Sequence, residues 1–359
     1  MFIVLCILAL IIAKTAVIVP AGEFNREYLS RDNTRNIKGL FVILVLFSHY
    51  VQYVSMNSVW DEPYMALREH LNQMVVVPFL FYSGYGMMKS IQKKGNAYVK
   101  TIMSKRFFRV WFDFAVAVAC FWVLGLALGK KYPIKRVLLS FVGWDSIGNS
   151  NWYILGTLIL YFLIFIAFML AHVSRSKWYH ILGCALFTVF TIFVVFVFMK
   201  VGRPNYYYNT LVIFPVGCWY ALVKERVDQF LWKNDFRFMS VSSVVICAYC
   251  FAYMYRWKYG IEGYTVWGLL FVLVFLIVTM KFSFKSDLIG WFGDHVFSVY
   301  ILQRIPMMIL SHYGWFANRK YMFLILSVLF TVVLAVLFER FTKMLRDGGA
   351  KLIGTFKRQ

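Results

Sequence analysis

The chain has 359 residues, 61% of them hydrophobic, where soluble domains run at about 45–50% apolar; a soluble globular domain is excluded and a helical membrane bundle is expected. A formal net charge of +22 would suit a nucleic-acid binder, but the basic residues gather in short loops between apolar runs, the pattern of a membrane protein with a positive cytoplasmic side. Anionic headgroups and negatively charged ligands at the membrane surface are the partners this charge implies, and nucleic acid is not.

Taken in order, the first apolar run, 1–20, has no basic start and carries Lys14. It matches a signal peptide poorly and is expected to be an extra N-terminal membrane helix. A polar connector, 21–38, brings Arg26, Arg31, Arg35 and Lys38. From Lys38 the chain runs through apolar residues, broken only by Ser48, to His49. Eleven helical steps turn about 1100° and rise ~16 Å, so the two ends share one face. In a hydrocarbon core roughly 30 Å thick, Lys38 is expected at the surface and His49 near the middle. An ionisable group at that depth faces the bundle interior and is a functional candidate. The competing reading is a histidine that only hydrogen-bonds a neighbouring helix.

Ten apolar runs follow residue 38, at about 39–56, 72–90, 108–129, 151–172, 179–199, 206–223, 239–255, 262–280, 288–311 and 321–339. The expected fold is an all-α polytopic integral membrane helical bundle of about ten core transmembrane helices plus the N-terminal one, with 21–359 forming a single transmembrane domain. The 206–223 run contains Pro215 and Gly217 and is expected to be kinked or broken. If the 21–38 connector is cytoplasmic, its side collects 25 Lys and Arg residues and the opposite side 12. That asymmetry favours a cytoplasmic C-terminus in a multi-pass cell-membrane protein. The outer connection 130–150 still holds Lys130, Lys131, Lys135 and Arg136. An anionic acceptor on that face and simple tolerance both account for them.

Several short constellations carry chemistry. In Phe79-Leu80-Phe81-Tyr82-Ser83-Gly84-Tyr85-Gly86, small residues permit close helix approach or leave room for a substrate arm; Ser83 lacks a paired base in the sequence. The loop after it is the most basic, ending in Lys105-Arg106-Phe107-Phe108-Arg109. Arg106 and Arg109, three apart, share a helix face, and guanidinium forks suit phosphate oxygens; membrane anchoring is the alternative. Asp113 is placed to pair with Arg109. Asn151-Trp152-Tyr153 reads either as an interfacial aromatic belt or as a sugar site. In the late run that opens with Gly293-Asp294-His295, the residues Ser298, Tyr300, Gln303 and Arg304 set polar groups in an apolar stretch, marking a lined cavity or interhelical bonds, and His295 is expected to be solvated. Cys247 and Cys250 have redox-like spacing, but within a membrane helix they are expected to pack. No residue cluster requires a metal.

In this order and spacing, these elements resemble the membrane-bound acyltransferase family 3, known for O-acylating bacterial polysaccharides. The basic-Gly start with a histidine eleven residues on is matched by Lys38, Gly39 and His49. Phe79 to Tyr85 match the aromatic Ser-Gly element, Arg106 and Arg109 the Arg-x-x-Arg entry, and Trp152-Tyr153 the Trp-aromatic element. Gly293, Ser298, Tyr300 and Leu302 match the late Gly…Ser-x-Tyr-x-Leu element. The chain departs from the family at Thr157, often Glu, and at Gln303, often His, and in its extra N-terminal helix.

The resemblance implies an O-acyltransferase moving an acyl group, acetyl by family habit, from cytoplasmic acetyl-CoA or another acyl-CoA to a hydroxyl of an extracytoplasmic polysaccharide or lipid-linked glycan. Lys38, Arg35, Arg106 and Arg109 are the expected grip on the donor's phosphates. His49 is the expected general base, with an acyl-histidine route as the alternative. Ser83, Ser298 and Tyr300 are candidates for oxyanion stabilisation, and Asn151, Trp152, Ser298 and Gln303 for acceptor binding. The rival classes are a polysaccharide or lipid flippase, which the lack of an internal repeat disfavours, and a structural membrane subunit.

Overall fold

The structure, a computed structural model, describes residues 1–175, 177–314, 316 and 319–356, the stretch 349–356 by its backbone alone. Among the described residues seven segments are helical, long and apolar enough to cross a membrane by themselves: Val59–Lys94, Met103–Ala127, Trp152–Val173, Tyr179–Lys200, Asp235–Tyr255, Gly260–Lys281 and Lys320–Gly348. The helices over Arg31–Tyr50, Ile213–Leu231 and Val296–His312 are interrupted by polar residues or broken and fall short of that measure, where about ten core spans were expected. The expected all-α polytopic bundle is the fold. One end carries the basic connectors and is called here the basic face.

In chain order, α1 (Phe2–Thr15) precedes α2 (Arg31–Tyr50) and α3 (Glu62–Leu71); α4 (Val77–Lys94) returns to the basic face, where α5 (Asn96–Val99) leads into α6 (Phe108–Ala127). Then come α7 (Ile134–Phe141), α8 (Trp152–Val173), α9 (Tyr179–Lys200), α10 (Ile213–Leu231), α11 (Asp235–Tyr255) and α12 (Gly260–Lys281). The run at 288–311 is divided among α13 (Asp287–Asp294), α14 (Val296–Leu302) and α15 (Arg304–His312), and α16 (Lys320–Phe356) closes the chain.

The 14 residues of α1 make about 21 Å of helix, short of the 1–20 span expected. A strand, Ala16–Ile18, continues from it and pairs antiparallel with Phe282–Phe284 after α12.

Ser30 caps α2 by accepting a hydrogen bond from the Asn33 amide, and Asp32 stands in its first turn, where a carboxylate favours the positive helix end. The helix thus starts two turns before Lys38, and His49 falls on its last turn. Close glycine contacts fix its neighbours. A Cβ on Gly39 would lie 1.9 Å from the Ile289 carbonyl oxygen, and one on Gly293 1.9 Å from that of Arg35, so α2 and α13 touch backbone to backbone. The same device joins α4 to α10: a Cβ on Gly84 would come within 2.0 Å of the Phe214 oxygen, and one on Gly217 within 2.2 Å of that of Phe81. The 206–223 run is broken, as expected: a 3-10 turn, Asn205–Tyr207, precedes a helix that starts only at Ile213, and Pro215 sits in the first turn of that helix, where no amide is required.

Pro306 explains the break between α14 and α15. It has no N–H for the Leu302 carbonyl four residues earlier, and its ring crowds that oxygen. The helix stops at Leu302 and restarts at Arg304, leaving Gln303 fully buried at the interruption. Cys247 and Cys250 are exposed on α11, facing outward rather than packing inside, because this helix buries little of its surface.

Candidate active site

One large cavity, about 1020 Å³, opens among α2, α4, α6, α8, α14 and α16 at the basic face. Its mouth carries Arg31, Lys38, Lys105, Arg106, Arg109, Arg340, Lys343 and Arg346 against only three carboxylates, Asp113, Asp294 and Glu339. Arg106 lies in a π-helical turn, Met103–Phe107, just before α6. That wider turn leaves Arg106 and Arg109 both lining the cavity. Asp113 bonds Arg346 of α16, not Arg109 as the sequence suggests, because the last helix brings its own guanidinium across the mouth. His295 is not simply solvated: its Nδ1 lies 2.8 Å from the Glu339 carboxylate.

Away from these charges the lining is largely aromatic. Phe79, Tyr82, Tyr153, Tyr161 and Tyr300 line the cavity together with Ser83 and Thr157. The Tyr153 and Tyr300 ring centroids are 5.4 Å apart, edge to face. The hydroxyls of Tyr82, Thr157 and Tyr300 are buried without a hydrogen-bond partner, a concentration of unsatisfied polar atoms that is rare in a folded interior.

His49 does not line this cavity. It stands behind Tyr300, ring centroids 6.3 Å apart, half-buried in the bundle interior with its Nδ1 lacking a partner. Tyr300, which lines the cavity, stands between it and the imidazole. On the far side of His49, Arg304 donates to the Gln52 side chain at 2.7 Å, and Gln52 follows His49 by one turn of chain. Arg68 donates from Nε to the Ser48 carbonyl at 3.4 Å.

The other expected residues divide between the cavity and the scaffold. Lys38 and Ser83 line the cavity, Ser83 beside the Tyr161 phenol. Arg35 does not; its Nε donates to the Gly290 carbonyl at 3.1 Å and to Asp294 at 2.7 Å, tying α2 to α13. The Ser298 hydroxyl donates to Glu339 and lies 3.1 Å from the His295 carbonyl. Gln303 donates to the Tyr300 carbonyl at 3.0 Å and keeps a buried, unpartnered oxygen. Asn151 is buried and donates to the carbonyls of Gly143 and Asp145, both at 3.0 Å, and to the Tyr207 phenol at 2.8 Å. Trp152 packs against Tyr153 and Tyr206, with centroids 6.0 and 6.1 Å apart.

The sequence reading did not assign two groups to the cavity, although Tyr153 and Thr157 stood out as family-motif positions. Tyr153, Thr157 and Tyr161 occur every four residues, a polar stripe down one face of an apolar helix that could have been found. Arg340, Lys343 and Arg346, three apart at the end of α16, were counted only as tail charges. Nothing in their spacing tells that α16 crosses back over α6.

Searches of curated proteins and of solved structures return no significant match. A family model described as an acyltransferase domain matches residues 34–340, nearly the whole bundle and every element that lines the cavity. The chain therefore belongs to this acyltransferase family, the membrane-bound acyltransferase family 3.

Proposed function

We propose that the protein is an O-acyltransferase that takes an acyl group, acetyl by the family's habit, from acyl-CoA at the basic, cytoplasmic face and delivers it to a hydroxyl of a polysaccharide or lipid-linked glycan on the other side. The observation that supports this best is the cavity itself: a cationic mouth continuing into a narrow aromatic channel that ends one ring away from a partnerless histidine. A bound acyl-CoA supplies an activated acyl carbon as its thioester. Arg106, Arg109 and Lys38 grip phosphate oxygens at the mouth, Arg as a planar fork and Lys as a point charge. Tyr82, Tyr153 and Tyr161 confine a thin, extended arm and keep bulk water out. Tyr300 stands between the end of that arm and His49, so its ring has to turn aside for the acyl carbon to meet the acceptor.

His49, approached by the acceptor from the opposite side, takes the hydroxyl proton as the oxygen forms its bond to the acyl carbon. The carbon–sulfur bond then breaks and the proton passes to the leaving thiolate, so that one ester and one free thiol result. Tyr300, whose ring centroid lies 6.3 Å from that of the imidazole, can donate to the developing oxyanion. The test is thiol release by purified protein supplied with acetyl-CoA and a glycan acceptor. Acceptor-dependent release that falls at least about 100-fold in His49→Ala, with folding retained, supports the reading. Glycan movement without thiol release would instead identify a transporter.

A further inference from the structure

Beyond His49, on the side away from the donor cavity, two guanidiniums converge on the end of α2. Arg304 touches Gln52, and Arg68 touches the Ser48 carbonyl; the charges of both act on the His49 imidazole. Among the described residues neither has a carboxylate within ion-pair distance. Both are half-buried, and Arg304 keeps a buried Nε without any partner. A guanidinium in that setting has unused donors in a place where water serves it poorly. In another connector of that side, Arg203 stacks 3.6 Å over Trp144 and also has a buried, partnerless nitrogen. The charge of the whole face agrees. Counting Arg304 itself, that side holds 12 Lys and Arg residues against five Asp and Glu, although an outward face ordinarily lacks such an excess. Of its carboxylates, Asp61, Glu69 and Asp145 are already taken by Lys320, Arg256 and Arg136.

Resting on the acyl-transfer reading of His49, we infer that the acceptor is anionic: it carries a carboxylate or phosphate next to the hydroxyl that is acylated, and Arg68 and Arg304 hold that group so that the hydroxyl faces the imidazole. Guanidinium recognition of such an oxyanion is a fork-to-fork contact, and two forks flanking one base fix the orientation of a sugar as well as its charge. A duller role is available to the same residues. Cations near a helix C-terminus complement its dipole, and a pair serving only that purpose has no preference among acceptors.

Binding distinguishes the two without depending on catalysis. The full-length His49→Ala protein is titrated with three probes: methyl glucoside, methyl glucuronide and glucose 1-phosphate. The inference expects the carboxylate or the phosphate probe to bind about tenfold or more tighter than the neutral one, with the advantage shrinking as salt rises. A glucuronide preference points to an acidic polysaccharide, a phosphate preference to a phosphate-linked glycan. Arg68→Gln with Arg304→Gln should collapse the ratio toward one, while Arg68→Lys with Arg304→Lys, which keeps the charge and so the fold, should retain most of it. Equal or weaker binding of both anionic probes overturns the inference, as does an anionic preference that survives the Gln pair. The acyl-transfer reading fails separately, if the protein with His49 intact never releases thiol or if His49→Ala releases it at the parent rate.

Discussion

On the proposed reading the chemistry turns on Tyr300 and His49: the phenol ring lines the cavity and the imidazole, outside its lining, has its centroid 6.3 Å from that ring. The ring and its hydroxyl have separable roles. Tyr300→Ala should join the cavity to the imidazole and let water reach the thioester, raising acyl-CoA hydrolysis in the absence of acceptor. Tyr300→Phe keeps the wall, so hydrolysis should stay at the parent level while transfer to acceptor falls for want of an oxyanion donor. Equal hydrolysis in the Ala and Phe variants would remove the wall from the account. At the mouth, Arg106→Gln should raise KM for acyl-CoA about tenfold or more with little change in kcat, the mark of a contact used equally in ground and transition states. A fall in kcat at constant KM would place this arginine elsewhere in the reaction. The sequence singles out Lys38, His49, Ser83, Arg106, Arg109 and Tyr300 because each is polar or charged inside an apolar pattern. It does not reveal that Arg35 is spent on Asp294 or Asn151 on three oxygen atoms, since those partners lie across the fold.

Backbone contact between helices governs the next scale. Gly84 and Gly217 let α4 and α10 approach until each would-be Cβ overlaps a carbonyl of the other, and Ser83, the neighbour of Gly84, is thereby presented to the cavity. Gly84→Ala must force the pair apart and should cost about 1–3 kcal/mol, read as a lower unfolding temperature in detergent. Gly86→Ala, with no atom within 4 Å of the new Cβ, should leave that temperature unchanged; equal losses at both sites would contradict the packing argument. Such close approach was legible from the small residues around position 84. The division of the 288–311 run was not foreseen, although Pro306 was in plain view. One proline in a long apolar run is tolerated in many membrane helices, and only the fold shows that the freed turn at Gln303 and Arg304 is used beside His49. The connector before α2 is fixed in a similar way: the Tyr28 phenol donates to Asp228 at 2.7 Å and contacts Tyr220 at 2.6 Å. Burial, with the Tyr220 and Asp228 partners, pushes the Tyr28 phenol above its ordinary range, so it stays a donor through the physiological pH range.

The whole molecule is a bundle with two differently charged ends. Positive-inside reasoning puts the basic face, with the cavity mouth and the last turns of α16, in the cytoplasm. Cysteines introduced at Gly95 and at Lys131 should then label from opposite sides of an intact membrane, Lys131→Cys from outside and Gly95→Cys only after permeabilisation; the reverse pattern would invert the path of the acyl group. The all-α membrane bundle and the family were open to sequence reasoning because the apolar runs and the short motifs are local signals. The wall at Tyr300 and the arginine pair beyond His49 were not, because they arise where α2, α3, α14 and α15 meet.

Vesicles give the most direct test of the central claim, that one protein passes an acyl group from a donor on its basic face to an acceptor on the other. Protein is reconstituted with radiolabelled acetyl-CoA on the basic side alone and a glycan acceptor on the opposite side alone. Label should appear on the acceptor as an alkali-labile ester with wild-type protein and should be absent with His49→Ala. Ester formation by the His49→Ala protein at the parent rate, or label that reaches the acceptor only when both substrates share one side, would contradict it.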